Sequence, residues 1–153
     1  MTPLQARLPL LLAALWWGSL TAMGGVAVPV LQAHLPSPTQ AAAACAALLA
    51  AQTWISIACC ALLLVVSKRK YAERQEAWAQ AAMVFVLGGL LLALVAQYGV
   101  APRVAARQGA VWQYAAVALH VLQWCCALCT LWKVAALALA LAGRDDAEAT
   151  PPA

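Results

Sequence analysis

The sequence predicts an all-α fold, a four-helix transmembrane bundle with both termini in the cytoplasm. Three observations carry this reading. Hydrophobic residues make up 66% of the 153-residue chain and charged residues only 9%, against roughly 25% charged in average globular proteins. No Asp, Glu, Lys or Arg occurs over residues 8–67, 77–102 or 108–132. The basic residues between these runs also fall preferentially on one side of the membrane that the runs define.

A bilayer core about 30 Å thick takes about 20 apolar residues to cross as a helix. The first uncharged run is long enough to cross twice, and each of the others crosses once. Span one is expected over about 8–31. Arg7 followed by the apolar stretch resembles the start of a signal peptide. However, the apolar run is roughly twice the length of a signal's apolar region and has no early small-x-small cleavage site, so it reads as an uncleaved span. Pro29 lies near its outer end, and Pro36 and Pro38 close the helix in a loop over 32–40. Span two is expected over 41–66 and ends at the basic cluster Lys68, Arg69, Lys70 and Arg74 in a loop over 67–76. Span three covers 77–100, followed by a loop over 101–109 with Pro102, Arg103 and Arg107. Span four covers 110–133, where Trp132 and Lys133 mark the interface, and it runs on as a helical extension to about 142. Residues 1–142 thus form one membrane domain, and 143–153, with Arg144, Asp145, Asp146, Glu148 and two prolines, read as a disordered cytoplasmic tail.

Orientation follows from the Lys and Arg count. Arg7, Lys68, Arg69, Lys70, Arg74, Lys133 and Arg144 share one side, and only Arg103 and Arg107 lie on the other. Seven against two places both ends inside a bacterial inner (plasma) membrane. The net charge of +4 is thereby explained by topology, and no basic folded face remains for nucleic acid. All six cysteines lie inside apolar runs and read as small reduced hydrophobes rather than a disulfide framework.

Placing residues about 100° apart shows which side chains share a face. Gly18, Ala22, Gly25 and Pro29 form one stripe of span one, and Ala82, Gly89, Ala93 and Ala96 one stripe of span three. Both read as helix-packing faces. A hinge or substrate groove at Gly24–Gly25 or Gly88–Gly89 is the sharper alternative. Span two carries Cys45, Gln52, Ser56 and Cys59 on one arc, with Thr53 and Cys60 beside it and Trp54 pointing away. Span four carries Gln113, His120, Gln123 and Thr130. Polar groups in lipid need partners, so these two stripes are expected to face each other. The candidate polar seam is Gln52, Ser56 and Cys59 against Gln113, His120 and Gln123. It either fixes helix register by hydrogen bonding or lines a small polar cavity.

His120 is the one ionisable group deep in a span, which makes it a functional candidate. No carboxylate lies in any span to exchange a proton with it, so a hydrogen bond to Gln123 or to span two is the plainer role. Cys125, Cys126 and Cys129 would suit Cu(I), but they lie on the face opposite His120, and His34 in the external loop is too distant to share a haem with it. No metal or other cofactor is expected. No G-x-S-x-G, Ser/His or Cys/His arrangement or carboxylate pair is present, so an enzyme is not expected either. Arg103 and Arg107 are spaced i, i+4 ahead of Trp112 with no acidic residue on their side. They snorkel to lipid phosphates or contact an anion or partner.

Several segments resemble a known family. Leu15-Trp16-Trp17-Gly18-Ser19-Leu20, then Val28-Pro29-Val30-Leu31 and Ala33-His34-Leu35-Pro36, look like the opening of bacterial domain of unknown function 4149 proteins. Those in turn resemble transmembrane protein 205 of animals. Val100-Ala101-Pro102-Arg103-Val104 resembles the family's step before its last helix, and Val121-Leu122-Gln123-Trp124 with Leu131-Trp132-Lys133 resembles its closing span. Gln32 replaces the usual Phe after Pro-Val-Leu, and Gln113 stands where the family's last helix carries a His, so no family role passes to His120. The resemblance implies a four-helix membrane protein of uncharacterised role. The expected function is structural or accessory, with the lipid bilayer and another membrane protein or a second copy as partners. The alternative is a small transporter or channel-like module that uses the polar seam.

Overall fold

The computed structural model describes residues 3–74, 77–106 and 109–149. Among these residues there is no strand. Helix α1 (Pro3–Ala22) passes through a π-helical turn (Met23–Ala27) into α2 (Val28–His34), and the three together form span one. Helix α3 (Pro38–Arg74) carries span two. Helix α4 (Ala77–Leu94), a second π-helical turn (Val95–Val100) and α5 (Ala101–Ala105) carry span three, and α6 (Ala110–Ala149) carries span four. Four stretches are long and apolar enough to cross a membrane: Arg7–His34, Pro38–Val66, Met83–Val104 and Ala110–Ala140.

The helices outrun the expected loops, for reasons visible in the prolines. Pro29 and Pro102 fall in the first turn of α2 and α5, where the missing N–H has no intrahelical partner to lose. Span one therefore continues to His34 rather than ending at 31, and helix reaches Ala105 inside the expected 101–109 loop. Only residues 35–37 separate α2 from α3, which Pro38 opens. The His34 ring Nδ1 donates to the Val30 carbonyl at 3.0 Å and satisfies one of the last carbonyls of α2. At the other end, α6 continues through Gly143 to Ala149, so 143–149 are helical where disorder is expected. No proline interrupts the helix before Pro151.

The outer surface is apolar. Leu11, Leu15, Val26, Trp54, Val84, Leu91, Tyr114 and Val117 are all more than half exposed. In water such a surface would drive association, whereas in lipid it is the solvated face. Each span packs against the next, and span four closes against span one, so the four form a ring. Spans two and four face each other only across its diagonal. The core gathers Leu12, Trp16, Leu20, Cys59, Cys60, Leu63, Val86 and Ala127. Because lipid tails are as apolar as these side chains, close packing rather than water exclusion holds the helices together.

Gly89 shows how close that packing is. A Cβ built there would lie 2.5 and 2.6 Å from Cη2 and Cζ2 of Trp16, whose indole is fully buried. The span-three stripe thus packs inward, with Gly89 and Ala93 buried. The span-one stripe does not. Ala22, Gly25 and Pro29 are exposed and Gly18 is half-buried, and nothing stands within 4 Å of a Cβ at Gly18 or Gly25.

Candidate functional site

The polar side chains of the bundle meet on span one, at Ser19, Leu20 and Thr21. Gln52 of span two donates from Nε2 to Ser19 Oγ at 2.9 Å, with a longer 3.5 Å contact to Ser56 Oγ one turn along its own helix. Ser19 Oγ in turn donates to the Trp16 carbonyl at 2.9 Å. On the other side of span one, His120 Nε2 lies 3.3 Å from the Leu20 carbonyl oxygen. The Trp124 indole N–H donates to Thr21 Oγ1 at 2.8 Å, and Thr21 donates to the Trp17 carbonyl at 2.9 Å. Trp17 and Trp124 also pack ring to ring, with centroids 5.8 Å apart. Because Ser19, Leu20 and Thr21 are consecutive, these groups occupy one layer across the bundle, with span one between its two halves.

This arrangement corrects the expected seam. Gln52, Ser56, Cys59 and Gln123 are buried as anticipated, but spans two and four do not pack side by side, so the two stripes do not pair with each other. His120 bonds to the backbone of span one rather than to Gln123 or span two. Gln113 is exposed. It lies in the first turn of the last helix, on the side turned away from the bundle. Two interior amide atoms, Gln52 Oε1 and Gln123 Nε2, are enclosed without a hydrogen-bond partner among the described residues. Higher in span two, Thr53 reaches Gln97 Oε1 at 3.4 Å, which ties span two to the π-helical turn of span three.

His120 fits where it does because of Gly24. A Cβ at that position would lie 2.5 Å from His120 Nε2, so only glycine admits the ring. Gly24 and Gly25 sit in the π-helical turn, a form of helix frequent at functional sites because its wider turn breaks the regular hydrogen-bond ladder. A groove of about 460 Å³ opens along this turn between spans one and four, walled by Leu20, Gly25, Val28, Val117, His120 and Trp124, among others. The groove expected as an alternative at Gly24–Gly25 thus has a cavity at that place. The pair Gly88–Gly89 does not, because the Trp16 indole fills it. The sequence carried the glycine signal for the groove but nothing to say that span four would form its second wall.

The remaining candidates lie apart. The Arg103 guanidinium stacks 4.6 Å from the Trp112 ring centroid and donates back to the Gly99 carbonyl, so it is held along its own helix end. Arg107 falls outside the described residues. Lys133 Nζ lies 5.7 Å from the Phe85 ring centroid, and Trp132 beside it is exposed. The six cysteines are free thiols, with Cys45, Cys59 and Cys60 buried and Cys125 and Cys129 on the lipid-facing side.

Apolar exterior, four spans and a polar layer spent on helix-to-helix ties define a polytopic membrane protein with a lateral groove. The chain belongs to the family described as Domain of unknown function (DUF4149), whose model matches residues 11–111. That match covers the Trp16–Trp17 segment, the glycine pair and the Pro102–Arg103 step. It ends before the 121–133 segments. No curated protein and no solved structure matches the chain.

Proposed function

We propose that the protein is a structural or accessory component of a bacterial inner membrane, with both termini in the cytoplasm, and that it acts without catalysis by packing against another transmembrane helix. The observation that carries this reading is the span-one stripe. Ala22, Gly25 and Pro29 are exposed, and no neighbouring side chain among the described residues stands within 4 Å of a Cβ at Gly18 or Gly25; small residues let helix backbones approach closely in lipid. The span-three stripe, made of the same residue types, is already occupied by Trp16. The polar layer supports the same reading, since Ser19, Thr21, His120 and Trp124 bond to the chain itself. The seven-to-two placement of Lys and Arg supports the orientation. Native mass spectrometry of the protein released from its own membranes tests it. A second copy or a discrete partner is expected on the wild type and is lost in Gly18→Leu, and a solitary chain in both would refute the packing role.

A second reading, a small transporter, draws on the enclosed amide atoms of Gln52 and Gln123 and on His120 at the groove. It predicts a pH-dependent flux across proteoliposomes that His120→Leu abolishes, and an equal flux in both proteins would exclude it.

A further inference from the structure

The groove between spans one and four has a single unused polar group in its wall. Its volume of about 460 Å³ falls in the range of small-molecule sites, roughly 300–1,000 Å³. Three polar side chains reach it: Thr21, His120 and Trp124. Two of these are engaged, because Thr21 donates to the Trp17 carbonyl and accepts the Trp124 indole N–H. The third is not fully engaged. A carbonyl oxygen only accepts, so the 3.3 Å approach of His120 Nε2 to the Leu20 carbonyl places the ring proton on Nε2. Nδ1 of the neutral ring then carries a lone pair, and it has no hydrogen-bond partner among the described residues. The missing Cβ of Gly24 is what admits the ring at this distance from the backbone.

We propose that this groove binds a membrane-resident molecule with an apolar body and one hydroxyl, which donates its hydrogen bond to His120 Nδ1. The wall selects for that chemistry in two ways. It is otherwise apolar, lined by Leu20, Val28, Leu49, Val117 and Val121, so a charged headgroup inside it would be desolvated without compensation. It also offers an acceptor and no unengaged donor, so a hydroxyl is satisfied there and a bare carbonyl or ether is not. The groove opens laterally on the half of the bundle nearer the 35–37 connection, where a molecule already dissolved in the bilayer can enter without crossing water. The groove shares Gly25 with the span-one stripe, but its hydrogen-bonding wall, His120 and Trp124, belongs to span four.

The test uses the full chain in lipid nanodiscs and hexadecanol carrying a mid-chain diazirine as photoprobe, with its methyl ether as the matched compound that cannot donate. Peptide mapping is expected to place the adducts within 20–28 and 116–124, with the ether labelling about five-fold less, as expected for one lost hydrogen bond. His120→Phe should bring the alcohol down to the ether's level. His120→Gln should restore it, because an amide supplies both a donor for Leu20 and an acceptor for the ligand. Gly25→Leu projects into open groove, with no atom of another described helix within 4 Å of its Cβ, so it should abolish labelling while leaving the fold intact. Competition by dioleoylglycerol assigns the natural ligand to the lipid alcohols, and competition by decyl-benzoquinol assigns it to the quinols. Equal labelling by alcohol and ether, labelling that survives Gly25→Leu, or displacement by neither competitor would overturn the proposal.

Discussion

Gly89→Ala is expected to be the most damaging glycine-to-alanine change among the described residues. The new methyl would sit 2.5 Å from Trp16 Cη2, 2.6 Å from Cζ2 and 3.6 Å from Cys126 Cβ. Contacts under 3 Å require something to move, and the indole has no exposed surface through which to swing. Overpacking of a close-packed site costs about 1–3 kcal/mol. For a chain of this size that corresponds to about 2–12 °C in the midpoint of thermal unfolding. Gly88→Ala supplies the control one position away. Its Cβ meets only Cys126 Sγ at 3.9 Å, an ordinary contact, and it should shift the midpoint by less than about 2 °C. Thermal unfolding in a mild detergent reads both variants. A double-mutant cycle with Trp16→Phe then isolates the cause, because phenylalanine lacks the outer indole atoms and should remove most of the penalty. If Gly88→Ala were as damaging as Gly89→Ala, or the penalty persisted in the Trp16→Phe background, the packing of Trp16 onto span three would be refuted.

Three further outcomes are expected from the same geometry. Gly24→Ala should cost less than Gly89→Ala, about 1 kcal/mol, because the half-buried His120 ring can swing into the groove; nitrogen NMR of labelled histidine should show Nε2 leaving its carbonyl, and an unchanged signal would contradict the contact. Thr21→Val should lose about 0.6 kcal/mol, the average for a hydrogen bond between membrane helices, and blue-shift Trp124 emission relative to wild type; no change in either would show that the 2.8 Å bond is not formed. Fusion of a fluorescent protein to the C-terminus should glow and fusion of alkaline phosphatase should stay inactive, as the seven-to-two charge count requires; the opposite pair of results would invert the topology.

The span count was legible because charge is excluded from a bilayer core, so the gaps at 8–67, 77–102 and 108–132 mark the crossings directly. Trp54 facing outward and Gly89 facing inward were also readable from a single helical wheel. The polar layer was not, because a wheel shows which side chains share a face but not which neighbour that face meets. Gln52 and His120 therefore looked like partners, although both bond to span one. Beyond Met23 the wheel itself fails. A π-helical turn adds a residue to the helix and rotates the rest of the span by about 100°, and the Gly-Gly pair hinted at a break without fixing its form. Pro29 and Pro102 misplaced the helix ends for a related reason, since proline at the start of a new helical segment reads the same in sequence as proline that terminates one.

If the outward face of span one is a contact surface, a photo-crosslinking amino acid placed at residue 22 in the native membrane will capture the partner. Ala22 is exposed in the middle of the stripe, while Trp54, 65% exposed on span two, supplies a lipid-facing control position. A discrete protein adduct is expected from position 22 and is lost in Gly18→Leu, with only lipid adducts from position 54. Lipid adducts alone from both positions would contradict the packing role.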